Sequence, residues 1–282
     1  MSAITTTFDR KHGTDMPPET PVTLTLDRGL QLLRAFHADR APLTNGELAR
    51  RTGMSRSAVS RLISTLIHLG FVRRVAGGRQ FELAMGVFGV GHAYLATNPI
   101  TRLAEPLMQQ LADRLEVSVT LAVPDHLDML YIAYRYTTRV STLQLGVGSL
   151  LPMGLTAIGR AWLWQQPEAL QRRYIERLMA DAGPKADELG KAIESAFRDL
   201  RTNGVCMSIG EYQRNAYGIA LPVRLGRSQA HMALSCGAVD IAPDVASIRK
   251  RVVPALKDAA RELESLLGET KLPAQSKHST LE

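Results

Sequence analysis

The most informative stretch of the chain runs from Leu43 to Arg74 and is LTNGELARRTGMSRSAVSRLISTLIHLGFVRR. Its second residue opens Thr44-Asn45-Gly46-Glu47, which fits a capping box, where the Thr and Glu side chains satisfy the first free amides of a helix. That helix is predicted over Asn45–Arg51. Gly53 then fits a tight turn, because glycine adopts positive φ without a Cβ penalty. The stretch therefore predicts a short helix, a turn and a further helix.

The helix after the turn, from Ser55 to about Leu69, has two contrasting faces. Its predicted inward stripe has helical spacing and consists of Val59, Leu62, Ile63, Leu66 and Leu69. The opposite face carries only arginine and serine, at Arg56, Ser57, Ser60, Arg61 and Ser64. Short hydroxyl side chains allow close approach to phosphates and base edges, and arginine reaches past them. This face predicts contact with DNA.

The flanking segments complete a winged helix-turn-helix. Leu26–Ala38 has apolar residues at helical spacing and predicts an amphipathic helix with Leu26, Leu30, Leu33 and Phe36 buried. Downstream, Phe71–Val75 and Gln80–Leu83 alternate as strands around a Gly77-Gly78 turn. In such a domain the third helix enters the major groove and the wing touches the backbone. The predicted DNA-binding residues are Thr44, Arg56, Ser57, Ser60, Arg61, Ser64, Arg73, Arg74 and Arg79.

Positive charge is concentrated in the same region. The formal net charge is +7, from 34 Lys+Arg and 27 Asp+Glu. Between Arg40 and Gln80 stand eight arginines and one acid, Glu47, so this window accounts for the whole excess. Arginine presents a planar fork that suits phosphates and guanine edges. The alternative is a solvated basic face that binds protein, in a sensor or scaffold without DNA affinity at physiological salt.

Length and composition indicate an ordinary globular protein of about two domains. The chain has 282 residues, of which 45% are hydrophobic and 22% charged. No apolar run approaches the roughly 18–20 residues that cross a bilayer, so we expect no membrane association. Residues 1–22 form a predicted polar, disordered leader without a signal-peptide core. Two cysteines are too few for a disulfide framework, and a cytoplasmic location is expected.

The rest of the chain predicts a linker helix and an α+β domain. Met85–Thr97 is more apolar than a connector needs, and we expect it to pack against a second copy. Strands are predicted at Val117–Val123, Met129–Tyr136, Thr142–Val147, Gly218–Leu225 and Ala230–Cys236, with helices before, between and after them. The predicted domains are 23–84 (winged helix-turn-helix), 85–98 (linker) and 99–270 (effector domain), with a flexible tail at 271–282.

Catalytic and metal-binding patterns are sparse in the sequence. Gly154–Ala161 has the glycine spacing of a phosphate loop, but Arg160 stands where the phosphate-binding lysine belongs and Ala161 where the metal-binding hydroxyl belongs. No two of the seven histidines have metal-ligand spacing. Cys236 is predicted to be a buried, inert thiol. We therefore predict no catalytic residue, no metal and no cofactor. An enzyme with an appended winged helix remains the alternative.

Two segments outside the basic region suggest a ligand pocket. Gly146–Pro152 is a glycine-interrupted loop that leads into a helix, and the first amides of that helix, near Thr156–Ile158, favour an anion. The second segment is Ser208–Tyr212, a polar stretch between predicted elements. The simpler interpretation is that the glycines shape a turn and that Glu211 pairs with an arginine.

These residues resemble the IclR family of bacterial transcription regulators, over roughly Leu26 to Leu267. The similarity lies in four blocks that occur in the family's order. They are Leu43–Leu62 continuing through Leu69–Val72, then Leu151–Ala161, then Gly204–Pro222 with Ser208–Tyr212 at its centre, and Met232–Gly237. The first block alone is shared by many winged-helix regulators, whereas all four in order are highly specific.

The resemblance implies a regulator, either a repressor or an activator. It implies an effector domain of GAF-like fold, a homodimer that can pair into a dimer of dimers, and double-stranded operator DNA with an inverted repeat. It also implies a small organic-acid effector, a carboxylate or an aromatic acid. Positions that match the family's effector pocket are Leu151, Met153, Ala157, Ile158, Ser208, Gly218, Ser235 and Gly237. The chain departs from the family at Gly154 and Gly218, and both glycines are expected to enlarge the pocket or remove a ligand contact.

Overall fold

The computed structural model describes residues 23–36, 41–138, 145–240 and 242–270. The chain divides into two compact units, residues 1–87 and 88–282. The predicted leader and tail, Arg40 and the end of the first predicted helix all lie outside the described residues.

The first unit contains three helices and a small antiparallel sheet. In chain order these are α1 (Leu24–Arg34), β1 (Leu43–Thr44), α2 (Asn45–Thr52), α3 (Arg56–His68), β2 (Val72–Arg74) and β3 (Gln80–Leu83). The sheet order is β1-β3-β2, and Phe81 of β3 stands between Leu43 and Arg74. This is the predicted winged helix-turn-helix, with the short strand β1 as an addition that the sequence did not reveal.

Capping side chains begin the two helices of the helix-turn-helix. The Thr44 hydroxyl accepts a hydrogen bond from the Glu47 amide at 3.2 Å, and the Ser55 hydroxyl accepts one from the Ala58 amide at 3.3 Å. Gly53 between the helices has a φ of 68°. The predicted caps and turn are therefore confirmed. The Glu47 carboxylate departs from the capping box, because its oxygens accept from Arg50 and Arg51.

Part of the predicted packing in this unit is wrong. Val59, Ile63 and Leu66 of α3 are buried as expected, but Leu69 is 57% exposed. The helix ends at His68, and Leu69 lies in the turn that leads to Gly70, so it no longer follows the inward stripe. In α1, Leu32 is the buried residue, whereas Leu26 and Leu30 lie on the outer side and are exposed.

The second unit is a six-stranded antiparallel sheet covered by helices. After α4 (Met85–Thr97), which begins in the first unit, the elements are α5 (Pro99–Leu115), β4 (Ser118–Asp125), β5 (Asp128–Arg135), β6 (Leu150–Pro152), α6 (Ala157–Trp164), α7 (Glu168–Ala182), α8 (Ala186–Asn203), β7 (Cys206–Ile209), β8 (Ala216–Leu225), β9 (Ala230–Val239) and α9 (Val245–Leu267). The strand order is β6-β5-β4-β9-β8-β7. Among the described residues, no helix has the length and apolar character to cross a membrane.

Each face of this sheet has its own hydrophobic core. On one face α5 and α9 pack against strand residues such as Leu121 and Leu234. On the other face α6, α7 and α8 pack against Ala122, Ala220 and Ala233. The small side chains on the second face bring α6 close to the sheet. The expected α+β class with an antiparallel sheet is confirmed.

Three strand predictions in this unit are corrected. The strand expected at Thr142–Val147 lies partly outside the described residues, and the described residues 145–147 are not in a strand; the next strand is β6. The structure adds two edge strands that the sequence does not predict, β6 and β7, because they have three and four residues, too few for a clear alternation. Strand β9 continues to Val239 beyond the end expected near Cys236, because it pairs with β8 along its whole length.

Candidate functional site

The predicted DNA-binding face of α3 is exposed. Arg56, Ser57, Ser60, Arg61 and Ser64 all lie on the outer side of the helix. The Ser64 hydroxyl donates to the Ser60 carbonyl at 3.0 Å and so turns back onto its own helix. Within the described part of the chain, neither Arg56 nor Arg61 has an acidic partner. Both guanidinium groups are free to meet an external anion or base edge.

The charged side chains of α2 pair with one another. Glu47 bonds to Arg50 at 2.6 Å and to Arg51 at 2.9 Å. The side-chain hydrogen bonds from Arg50 and then Arg51 lower the pKa of the Glu47 carboxyl to about 2, so it is ionised at neutral pH. Glu47, the one acid between Arg40 and Gln80, therefore pairs within α2. Thr44, which is also predicted to contact DNA, is exposed, and its hydroxyl accepts the bond that caps α2.

The three wing arginines differ in their surroundings. Arg73 pairs with Glu82 across the hairpin at 2.8 Å, so part of its charge is compensated. Arg74 stacks over the Phe81 ring at 5.0 Å, a cation–π contact that orients its guanidinium. Arg79 follows Gly77-Gly78 at the exposed tip of the hairpin. Arg74 and Arg79 are therefore the wing residues best placed for phosphates.

The second unit contains a cavity of about 620 Å³, including its open mouth, between the sheet and the start of α6. Seven of the eight predicted effector residues line it: Leu151, Ala157, Ile158, Ser208, Gly218, Ser235 and Gly237. The eighth, Met153, is fully buried beneath α6 and lies outside the lining. The structure thus brings together positions that are up to 86 residues apart in the chain.

Strand register explains how the floor of the cavity forms. One row across the sheet pairs Ser118 with Gly237, Gly237 with Gly218, and Gly218 with Ser208. A second row, two positions along, pairs Tyr134 with Thr120, Thr120 with Ser235, and Ser235 with Ala220. Residues two apart on a strand share a face, so both rows point toward α6. The floor is small and polar at one end and aromatic at the other.

The N-terminus of α6 faces this floor. The Ala157 amide donates to the Ser208 hydroxyl at 3.1 Å, and the Gly159 amide donates to the Thr156 hydroxyl at 3.4 Å. A serine hydroxyl that accepts one bond can still donate its own proton. Helix N-termini carry a partial positive charge and free amides. This end of the cavity can therefore hold a carboxylate, and none of its described lining residues is Arg, Lys or His.

Glycines around the cavity have different roles. A Cβ on Gly237 would lie 2.8 Å from the Tyr217 carbonyl oxygen, so the sheet requires glycine there. A Cβ on Gly218 would lie 3.8 Å from Ala157 and Ser208, an ordinary contact that would only narrow the cavity. Gly154 does not enlarge the cavity as expected, because it faces Leu189. A Cβ added at Gly154 would lie 3.0 Å from Cδ1 of Leu189.

A buried ion pair borders the cavity. Arg160 of α6 is 1% exposed, and its guanidinium bonds both oxygens of Glu211, with Nη1 to Oε1 at 2.9 Å. Its Nε also donates to the Gly154 carbonyl at 2.8 Å. The pairing of Glu211 with an arginine, given as the simpler interpretation of this segment, is what the structure has. Glu211 also lines the cavity, so this pair holds part of its wall.

Tyrosines in the cavity wall were not identified from the sequence. Tyr131 and Tyr134 of β5 stack with ring centroids 6.1 Å apart, and both line the cavity. Burial raises the pKa of the Tyr131 hydroxyl, and its hydrogen bond with Thr120 opposes that shift in part. In the sequence these tyrosines look like ordinary core residues of a strand. The sequence contains only a weak sign of this part of the cavity, because Ser118 and Thr120 are polar residues on a buried strand.

Metal binding and thiol chemistry have little support among the described residues. No group of three or more His, Cys, Asp and Glu side chains in the described ranges is arranged to hold a metal ion. Both cysteines are buried, and burial raises the pKa of each thiol to about 12. The Cys206 thiol donates to the Ala157 carbonyl at 3.3 Å. The predicted inert character of Cys236 agrees with these surroundings.

Comparisons with known proteins point to one family. The model for the IclR helix-turn-helix domain matches residues 25–76, and the model for the bacterial transcriptional regulator IclR C-terminal domain matches residues 92–265. The Pca regulon regulatory protein of Pseudomonas putida is 31% identical over 84% of this chain and 82% of its own length.

Solved structures agree with these matches. An IclR family transcriptional regulator from Brucella abortus is 30% identical, covers 90% of this chain and 96% of its own, and superposes with a TM-score of 0.81. An IclR homolog from Microbacterium hydrocarbonoxydans, complexed with 4-hydroxybenzoate, shares the fold at 22% identity and a TM-score of 0.59, over 86% of this chain and 98% of its own.

Proposed function

The chain belongs to the IclR family of bacterial transcriptional regulators, and on that basis we propose how its residues divide the work of binding DNA and sensing an effector. The protein is a DNA-binding transcription regulator with an effector-binding C-terminal domain, not an enzyme. A regulator that acts on bacterial DNA also agrees with the expected cytoplasmic location. The roles of individual residues, the effector class and the oligomer are the proposals.

The DNA contacts are assigned to α3 and the wing. Arg56, Ser57, Ser60 and Arg61 enter the major groove, where the two arginines reach base edges because no acid in the described residues holds them. Arg74 and Arg79 contact phosphates, with a smaller contribution from Arg73 because of its pairing with Glu82. Phosphate contacts position the protein, and base contacts give specificity.

The proposed effector is a small aromatic carboxylic acid. The observation that carries this proposal is the cavity itself, which has helix amides and serine hydroxyls at one end and stacked tyrosines at the other. The Ile158 amide and the Ser208 hydroxyl hold the carboxylate, while the Ala157 amide keeps its bond to Ser208, and Leu151 packs against the ring. The 4-hydroxybenzoate in the regulator from Microbacterium hydrocarbonoxydans supports the same class of ligand.

We propose a homodimer that forms through α4 and can pair into a dimer of dimers. No residue of α4 is buried, and its apolar side chains Met85, Phe88 and Val90 are 79%, 66% and 62% exposed. Several large apolar side chains exposed on one helix indicate an interaction site. A second copy fits it best, because two symmetric winged helices match the inverted-repeat operator that the family implies.

The effector proposal is tested by thermal denaturation in the presence of carboxylic acids. A ligand that binds only the folded state raises the melting temperature, and above its Kd the stabilisation grows with the logarithm of ligand concentration. We expect benzoates to raise it and non-acidic analogues such as benzamide to leave it unchanged. A matched variant, Gly218→Ala, narrows the cavity without a backbone clash and should reduce the shift. Equal shifts with acids and amides, or none with either, would overturn the carboxylate assignment.

A further inference from the structure

The Tyr134 side chain has an unusual environment in the cavity wall. It is 6% exposed, and its hydroxyl finds no hydrogen-bond partner among the described residues. Buried hydroxyls in native proteins are nearly always paired, so an orphaned one requires an explanation. Its neighbour Tyr131 does not have this problem, because it is hydrogen-bonded to Thr120.

Tyr134 lies at the opposite end of the floor from the carboxylate end. It stands on β5, whereas Ser208 stands on β7, and the strand order places four interstrand steps between them. Both side chains nevertheless line the same cavity. A ligand anchored at α6 therefore extends toward Tyr134 with the part farthest from its carboxylate.

We infer that Tyr134 is a specificity-determining residue, whose hydroxyl pairs with a second hydrogen-bonding group of the effector, such as a ring hydroxyl remote from the carboxylate. This inference rests on the proposed function, since it concerns the same cavity. A tyrosine hydroxyl is both a donor and an acceptor, so it suits a phenolic hydroxyl. An effector without such a group leaves the Tyr134 hydroxyl as unpaired as it is in the free protein, so it gains no hydrogen bond there.

Tyr174 is a matched control for this inference. Its hydroxyl is the other one that is buried without a partner in the described part of the chain. It packs edge-on against Trp162 with ring centroids 5.1 Å apart and does not line the cavity. Removing its hydroxyl changes the core in the same way and leaves the effector site untouched.

The test is isothermal titration of the full chain with benzoate, 3-hydroxybenzoate, 4-hydroxybenzoate and 3,4-dihydroxybenzoate. We expect the tightest hydroxylated acid to bind the parent about tenfold more tightly than benzoate, as one hydrogen bond to an otherwise unpaired group provides. In Tyr134→Phe that ratio should fall to about one, because affinity for the hydroxylated acid drops while benzoate binds as before. Tyr174→Phe should keep the parent ratio.

Three results decide the inference, and melting temperatures near the parent value show that each variant is folded. A preference that is lost in Tyr134→Phe and kept in Tyr174→Phe supports it. Equal binding of benzoate and the hydroxybenzoates by the parent, or a preference that survives in Tyr134→Phe, overturns it and leaves the aromatic-acid proposal standing. Saturable binding of none of the four acids overturns both.

Discussion

Arg160 and Glu211 form a two-pronged ion pair that joins the start of α6 to the segment between β7 and β8. Arg160 is fully buried, whereas the Glu211 side chain is 31% exposed. The same arginine donates to the Gly154 carbonyl. One buried guanidinium thus fixes the turn before α6 and the wall segment that contains Glu211, which together border the proposed effector cavity.

Removing the acid of this pair should be costly for stability. Glu211→Gln leaves the buried Arg160 charge without its partner, and breaking such a pair costs about 3 kcal/mol or more. Chemical denaturation of the full chain measures the change in the free energy of unfolding. The control is Glu168→Gln, which breaks the exposed pair with Arg172 and should cost less than about 1 kcal/mol. Equal small losses in both variants would show that the buried pair does not stabilise the fold.

Two glycine substitutions near the cavity should have opposite outcomes. A Cβ on Gly159 would overlap the backbone of Met153, including its Cα at 2.5 Å, so Gly159→Ala should prevent α6 from docking and reduce the yield of folded protein. Gly218→Ala meets only ordinary contacts and should fold normally. Circular dichroism and melting temperature distinguish the two. A Gly159→Ala variant as stable as the parent would contradict the close approach of α6 to the chain before it.

Two arginines of the first unit should affect DNA binding differently. Arg61→Ala removes a proposed base contact and should cost about 1–3 kcal/mol on the operator with little change on random DNA. Arg74→Ala removes a proposed phosphate contact, so it should weaken all DNA alike and lower the salt slope by about one. Arg172→Ala, on α7, is the control. Parent-like binding by both Arg61 and Arg74 variants would refute the assigned interface.

The thiols of Cys206 and Cys236 should be unreactive in the folded protein. Burial raises the pKa of each from an ordinary value of 9.0 to about 12, so the reactive thiolate is scarce at pH 8. A chromogenic disulfide reagent should label both only after denaturant is added. Rapid labelling of native protein would contradict the buried placement.

Raised thiol pKa values also predict a loss of stability in alkali. Between about pH 9 and 12 the unfolded chain releases these two protons while the folded chain retains them. The folded state then binds more protons than the unfolded state, so the free energy of unfolding falls as pH rises through this window. The Cys236→Ala variant should show a smaller decline than the parent in melting curves taken at increasing pH.

Local rules predicted the first unit well and the cavity only in part. The Thr44 and Ser55 caps and the Gly53 turn depend on residues within four positions of one another, so the sequence displays them directly. Leu69 was misplaced because the end of a helix decides on which side its last residue lies. The cavity depends on register between distant strands, and for that reason Tyr131 and Tyr134 were missed.

The resemblance to the family located the other end of the cavity. Ser208, Gly218 and Gly237 come from three strands and gain their common face only when β7, β8 and β9 are paired. Nothing in the local pattern around Ser208 predicted a strand, since β7 has four residues and lies at the sheet edge. The matching blocks supplied this non-local information.

We propose that this one chain reads a specific DNA site and that an aromatic acid changes its affinity for that site. Fluorescence anisotropy on labelled fragments of the gene's own upstream intergenic region tests it most directly, with excess competitor DNA at about 0.15 M salt, where nonspecific attraction is weakened. We expect retention on one fragment and a change in its Kd when a benzoate is added. Uniform binding to every fragment, with and without the acids, would contradict it.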